Sequence, residues 1–400
     1  MTTRPTRSLR LTPHLAVASV GYVVFAYAAV PDALMAAYGV GFTEIGLLMS
    51  AALAAFVLVQ VPAGRLTSQR ATTRLLLYGT AAHALLALAL DVVSGFAALL
   101  ALRALWGLAG GFVLSVGATH IARLYSGRAA TRQQGLYGGM LTLGGAVGFA
   151  VAPALVEPGL LHGFGSGLLH SLSGGLLHSP GAVLAIPALV VLARERHDTL
   201  TLPKSGTSRG TFSSTLTLAV ALASLCYVAI IASYITLSTF ITAYAADLQI
   251  TGPLNVAVLL TATVGRATGG AAVFQFSIGD PWFIAGATAL AAACFAGLAG
   301  LGTSPLALLL PVAAMLAVSV PFGAVFSVAA DAAVHEGAAI AVVVAAGNVA
   351  ALVLPAVTGA LRDATGTYAS GFALLAGLNV VAVGAATLLG TNRFSRTHQT

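Results

Sequence analysis

Long apolar runs, each closed by a charge, a proline or a glycine, follow one another along almost the whole chain. Most are near or above the roughly 20 residues that a helix needs to cross a hydrocarbon core about 30 Å thick. The pattern therefore predicts twelve helices. The first six fall near 13–37, 44–66, 75–93, 96–122, 134–156 and 172–193. The second six fall near 213–240, 253–276, 281–301, 304–330, 338–361 and 370–390. Glu195–Thr211 is the one long polar stretch, near the midpoint. The expected organisation is a six-helix bundle over 1–193, a cytoplasmic linker over 194–212 and a second bundle over 213–400.

Two internal matches support duplicated halves. Ala18-Ser-Val-Gly-Tyr22-Val returns as Ala223-Ser-Leu-Cys-Tyr227-Val, an offset of 205, and Gly145 with Pro153-Ala154 returns as Gly347 with Pro355-Ala356, an offset of 202. An all-α integral membrane protein built as two pseudo-symmetric six-helix bundles follows. In such a carrier the site lies between the halves near the membrane middle.

Composition changes the picture mainly by exclusion. Charged residues make up 7% of the 400, against about 25% in a soluble domain. The net charge of +7 is no nucleic-acid footprint, because the basic residues sit in short clusters between apolar runs. Fifteen of the eighteen Lys and Arg fall on one side of the predicted topology, leaving Arg103, Arg266 and Arg362 as exceptions. The positive-inside rule then places both termini in the cytoplasm of a multi-pass protein expected in the plasma membrane, as a monomer. Cys226 and Cys294 lie in apolar runs and imply no disulfide framework.

The central chemical feature is Arg266, flanked by about a dozen apolar or small residues on each side. A charge near the bilayer middle costs at least about 2.5–3.5 kcal/mol on insertion scales, so it needs a partner or a watered cavity. Gln60 in helix two, Tyr22 and Tyr227 in helices one and seven, and Asn348 in helix eleven are the polar groups expected to join it. One guanidinium with an amide suits a monovalent anion better than a divalent one. For coupled protons the candidates are Asp32, Glu44 and His83. The motif GLLH occurs three times and gives His162, His170 and His178 at intervals of eight residues. Eight residues turn a helix by about 800°, so the three share no face. No cysteine or carboxylate cluster completes a site, so no metal is expected. No cofactor and no catalytic residue is expected either.

These motifs resemble the major facilitator superfamily across essentially the whole chain. The stretch Pro62-Ala-Gly64-Arg65-Leu-Thr-Ser68-Gln-Arg70-Ala71-Thr-Thr-Arg74 is similar to that family's loop after helix two. Ser68 stands where the family has an acid and Ala71 where it has a glycine. The resemblance gives Gly64 a close helix approach, and gives Arg65, Arg70 and Arg74 gating or lipid contacts. Arg103 with Trp106, Gly107, Gly110 and Gly111 is similar to the family's helix-four pattern, which implies gating or proton coupling for Arg103. Gly135, Gly144 and Gly148 match an antiporter spacing, with Phe149 in place of its proline. Gly265-Arg266-Ala-Thr-Gly269-Gly270 resembles helix eight of anion-handling branches, among them nitrate porters, oxalate–formate exchangers and monocarboxylate transporters. Gln60 stands where nitrate porters have a second arginine. Helix eleven, with Gly347-Asn348 and an external Arg362-Asp363, also follows the family pattern.

The resemblance implies a secondary transporter that moves a small solute, an anion favoured, by proton coupling or exchange. The alternative is an exporter of hydrophobic compounds. An intramembrane enzyme would need converging nucleophiles, bases or metal ligands. A sensor would need an output domain, and the polar linker is too short for one.

Overall fold

The structure, a computed structural model, describes residues 7–67, 69–125, 127–156, 176–194, 217–250, 253–276, 279–301, 309–332 and 336–391. Among them every regular element is helical. In chain order they are α1 (Arg7–Phe25), a 3-10 turn (Ala26–Ala29), α2 (Pro31–Tyr38), α3 (Phe42–Thr67), α4 (Thr72–Leu90), α5 (Phe96–Leu124), α6 (Gly127–Val156) and α7 (Ser179–Arg194). The second half holds α8 (Leu218–Asp247), α9 (Leu254–Phe276), α10 (Asp280–Gly300), α11 (Leu310–Ser319), α12 (Phe322–Asp331), α13 (Glu336–Thr365) and α14 (Ala369–Thr391). Ten described stretches are long and apolar enough to cross a membrane, Leu310–Ala329 among them. The shorter apolar α7 and the Arg266-bearing α9 complete the twelve.

The expected spans recur with two interruptions that hydropathy does not register. Helix one starts at Arg7 and breaks at the 3-10 turn before Pro31, which opens α2. Helix ten breaks at Val320–Pro321, where the proline has no N–H to continue α11. Most of the expected linker lies outside the described residues, as do His162 and His170.

Helix pairing repeats between the halves. α1 packs on α6 as α8 packs on α13, α3 on α5 as α9 on α11, and α4 on α7 as α10 on α14. The halves meet along two seams, α3 with α13 and α6 with α9, which exchange under the same repeat.

In lipid there is little hydrophobic gain between helices, so close packing holds them. α1 and α6 show how close. A Cβ on Gly144 would lie 1.9 Å from the Ala18 carbonyl oxygen, and one on Gly21 would lie 1.9 Å from the Leu141 oxygen. Backbone touches backbone at both points, which only glycine allows. Large apolar side chains such as Leu85, Leu105 and Val380 stay more than a third exposed, as lipid-facing positions should be.

The α3–α13 seam is a zipper. Gly46 lies against the Pro355 carbonyl, Ser50 Oγ donates to the Leu352 carbonyl, and Gly359 lies against the Phe42 carbonyl. At its end Asp363 accepts from Phe42 N at 3.1 Å, Thr43 N at 2.8 Å and Thr43 Oγ1 at 2.5 Å. A carboxylate from one half thus caps the N-terminus of a helix in the other.

Candidate functional site

The two arginines inside spans have opposite surroundings. Arg103 of α5 is wholly buried. Its Nη1 donates to the Val23 carbonyl at 3.0 Å, its Nη2 to Val24 at 2.6 Å and its Nε to Leu48 at 3.1 Å. The residues four positions beyond Val23 and Val24 lie in the 3-10 turn, so that break frees the two carbonyls the guanidinium takes up. Tyr27 and Trp106 add ring contacts at 4.4 and 5.4 Å. Arg103 therefore serves as a clip across α1, α3 and α5, with no acid needed.

Arg266 is held differently. It lies twelve residues into α9, about 18 Å along the helix. Its side chain crosses the α6–α9 seam, where Gly138 leaves room for Cδ at 4.0 Å from its built Cβ position. The guanidinium carbon lies 4.2 Å from the Tyr234 ring and 4.5 Å from the Phe322 ring. Among the described residues its one acceptor is the Gly138 carbonyl, 3.5 Å from Nη1 and at the outer limit of a hydrogen bond. Nε is buried with no partner, and the residue is 8% exposed. Two rings at about 0.5–2 kcal/mol each match a cost of at least about 2.5–3.5 kcal/mol for a charge at this depth only at the top of their range, and they supply neither an acceptor for Nε nor a negative charge. An oxyanion would supply the missing acceptor and the missing charge together.

The ring cage extends outward. Phe322 opens α12 directly after the Val320–Pro321 break. The break is gripped by α9, since a Cβ on Gly269 would sit 2.0 Å from the Val320 oxygen and one on Gly265 2.8 Å from Ser319 Cβ. Tyr227 packs tilted against Phe322 and Phe326 at 5.8 and 5.2 Å between ring centres, and a Cβ on Gly347 would meet its ring at 2.2 Å. Phe25 of the first half meets Tyr234 edge-on at 5.8 Å. Thr142 and Thr263 join the halves by a 2.7 Å hydroxyl bond. The hydroxyls of Tyr234 and Ser319 are buried without partners.

The other expected site residues divide. Tyr227 reaches Arg266 through the shared Phe322 ring. Tyr22 faces α7 and a crevice of about 350 Å³ between α6 and α7, lined also by Val147, Val151, Pro180 and Leu184. Gln60 is half-buried on α3, within about 40° of the Gly46 face that meets α13, and is not joined to Arg266. Asn348 is half-buried with no side-chain hydrogen bond among the described residues. Asp32 is exposed in the first turn of α2. Arg65, Arg70 and Arg74 are exposed around the α3–α4 turn, and nothing lies within 4 Å of a Cβ built on Gly64. The turn is pinned instead by Arg123, whose guanidinium donates to the Thr67 and Arg70 carbonyls. Arg362 and Asp363 do not pair with each other: Arg362 bridges to Asp247 at 2.9 Å while Asp363 caps α3.

The histidines hold structural bonds. Trp106 Nε1–H donates to His83 Nδ1 at 3.0 Å, which leaves the proton on Nε2 to donate to Ser19 Oγ at 3.2 Å. His178 donates from Nδ1 to Asp91 at 2.9 Å, and Asp91 also accepts from the backbone N–H groups of His178 and Ser179 at the start of α7. Sequence reading missed Phe322, Phe326 and Phe25, which look like ordinary apolar positions. The one available signal was Phe322 directly after Pro321 in a span.

Two helical bundles, paired alike and meeting along two exchangeable seams in a membrane, define a solute carrier that opens to alternate sides. The chain belongs to the major facilitator superfamily, since the family profile of that description matches residues 14–336. It is a membrane transporter and not an enzyme. Among solved structures it is similar to a bacterial homologue of the human lysosomal transporter Spinster, inward-facing and occupied. The TM-score is 0.70 at 14% identity, covering 95% of this chain and 96% of that one. The unoccupied inward-facing form of that homologue gives 0.66 at 16%, covering 97% and 95%. Comparison with curated protein sequences finds no match.

Proposed function

We propose that this transporter moves a small monovalent anion across the plasma membrane by alternating access, with Arg266 as the group the cargo pairs with. The observation that carries the reading is the buried, unpartnered Nε of Arg266 between the Tyr234 and Phe322 rings, on a seam between the halves. Arg103, equally interior, has three carbonyls and needs no counter-ion. Tyr227 and Phe326 back the cage, while Asn348 and Gln60 offer amides on helices of the other seam. The exposed Arg65, Arg70 and Arg74 face anionic headgroups on the cytoplasmic side, where both termini lie, and the chain works as a monomer.

The test uses purified protein and the variants Arg266→Gln and Arg266→Lys. Formate, lactate and nitrate are screened for a rise in melting temperature, which a ligand of the folded state produces by mass action. At least one of them should stabilise wild type and none should stabilise Arg266→Gln. Equal stabilisation of both would reject the assignment.

The crevice between α6 and α7 favours a second reading, an exporter of hydrophobic compounds that enter from the lipid. Substituting Val151 and Leu184 with Trp should then abolish resistance conferred on a sensitive host. On the anion reading the same change leaves anion uptake intact.

A further inference from the structure

We infer that transport is obligatory one-for-one anion exchange, because the empty site carries a charge that only the cargo neutralises. The inference rests on the anion reading above and adds the coupling mode.

Among the described residues the interior offers no counter-charge. No Asp or Glu among the described residues falls in the middle of a span; each lies at a helix end or in a connection. Two that are described, Asp91 and Asp363, are already engaged in capping helix N-termini. Among the described residues no carboxylate that could take up a proton as the anion leaves is therefore available beside Arg266. The histidine deepest in the first half cannot substitute. His83 uses Nδ1 as acceptor from Trp106 and Nε2–H as donor to Ser19, so both ring nitrogens are committed.

Consider the two states that must cross. With a monovalent anion bound, Arg266 and cargo sum to zero, and the Nε donor has its acceptor. Without it, a bare guanidinium must pass through a conformation closed to water on both sides, with one distant carbonyl and two ring faces for company. Burying an unpaired charge is costly and burying a paired one is less so. The loaded carrier therefore reorients and the empty one stays on the side where it released its anion. It waits there for another. One anion enters as one leaves, so no net charge moves and no proton is required.

The experiment is uptake of radiolabelled formate, lactate and nitrate into liposomes holding wild-type protein. The vesicles are filled either with the same unlabelled anion or with zwitterionic buffer alone. Uptake into anion-filled vesicles should be at least tenfold faster. A potassium diffusion potential of either sign should not change it, and an inward proton gradient should not drive accumulation into buffer-filled vesicles. Equal rates in the two fillings, or accumulation driven by the proton gradient, would overturn exchange while leaving anion binding intact. Equilibrium binding of the same three anions to detergent-solubilised protein separates the cases, because no binding at all removes the anion reading and this inference with it.

Discussion

Asp363 offers a direct test of what holds the α3–α13 seam together. Its carboxylate receives two backbone N–H groups and one hydroxyl from the start of α3, in the opposite half. Replacing Asp363 with Ala leaves those donors to water. The residue is exposed, so charge attraction is screened and the capping scale is the right measure, about 0.5–2 kcal/mol. That range is about a 2–30-fold change in an equilibrium, since about 1.4 kcal/mol is tenfold. The closed α3–α13 seam should lose population by about that factor. Asn caps nearly as well as Asp, so Asp363→Asn should shift the balance far less. Spin labels on cysteines introduced at the exposed Ala37 and Ala364 report the opening as a longer distance. An unchanged distance distribution in Asp363→Ala would show that the cap does not hold the seam.

Further outcomes follow from other contacts. Arg103→Lys keeps the charge but not the three-carbonyl fork, and should cost about 1–3 kcal/mol of stability, read as a lowered melting temperature; a wild-type melt would remove its role as a clip. Gly144→Val would drive a side chain into the α1 backbone, and its yield of folded protein in detergent should collapse, whereas substitution at the open Gly64 should be silent. Gly347→Ala should displace the Tyr227 ring and lower uptake at least fivefold, and wild-type rates would disconnect the ring cage from transport. Burial pulls the pKa of His178 below 6.5, with Asp91 acting in the opposite sense. A folded-state pKa below the unfolded value means that the stabilisation is complete above about pH 6.5 and declines as pH falls below it. Wild type should thus lose melting temperature between pH 7 and 5 more steeply than His178→Gln, and parallel curves would contradict the assignment.

The bilayer makes some of this legible from sequence and hides the rest. Spans were readable because every backbone group in lipid must be satisfied within a helix, which forces long apolar runs. Arg266 was readable because one charge among apolar residues has few reasons to be there. The breaks at Ala26–Ala29 and Val320–Pro321 were not, since the AYAA of the 3-10 turn is as free of charge as the residues just before it. Which arginine is satisfied was equally hidden. Arg103 and Arg266 have similar neighbours in sequence, and what separates them is the set of carbonyls that α1 and α3 offer to Arg103. Tyr22 and Tyr227 occupy equivalent repeat positions, yet one faces α7 and the other the cage, because the two halves have diverged in what fills the space beside them.

The grip of Arg103 on the broken end of α1 has a mechanical side. Sliding α3 past the other two helices breaks one of these bonds, sliding α1 breaks two and sliding α5 breaks all three. That corner of the first bundle therefore resists internal sliding. In the opposite bundle Phe322 rides on a short helix that begins directly after a proline.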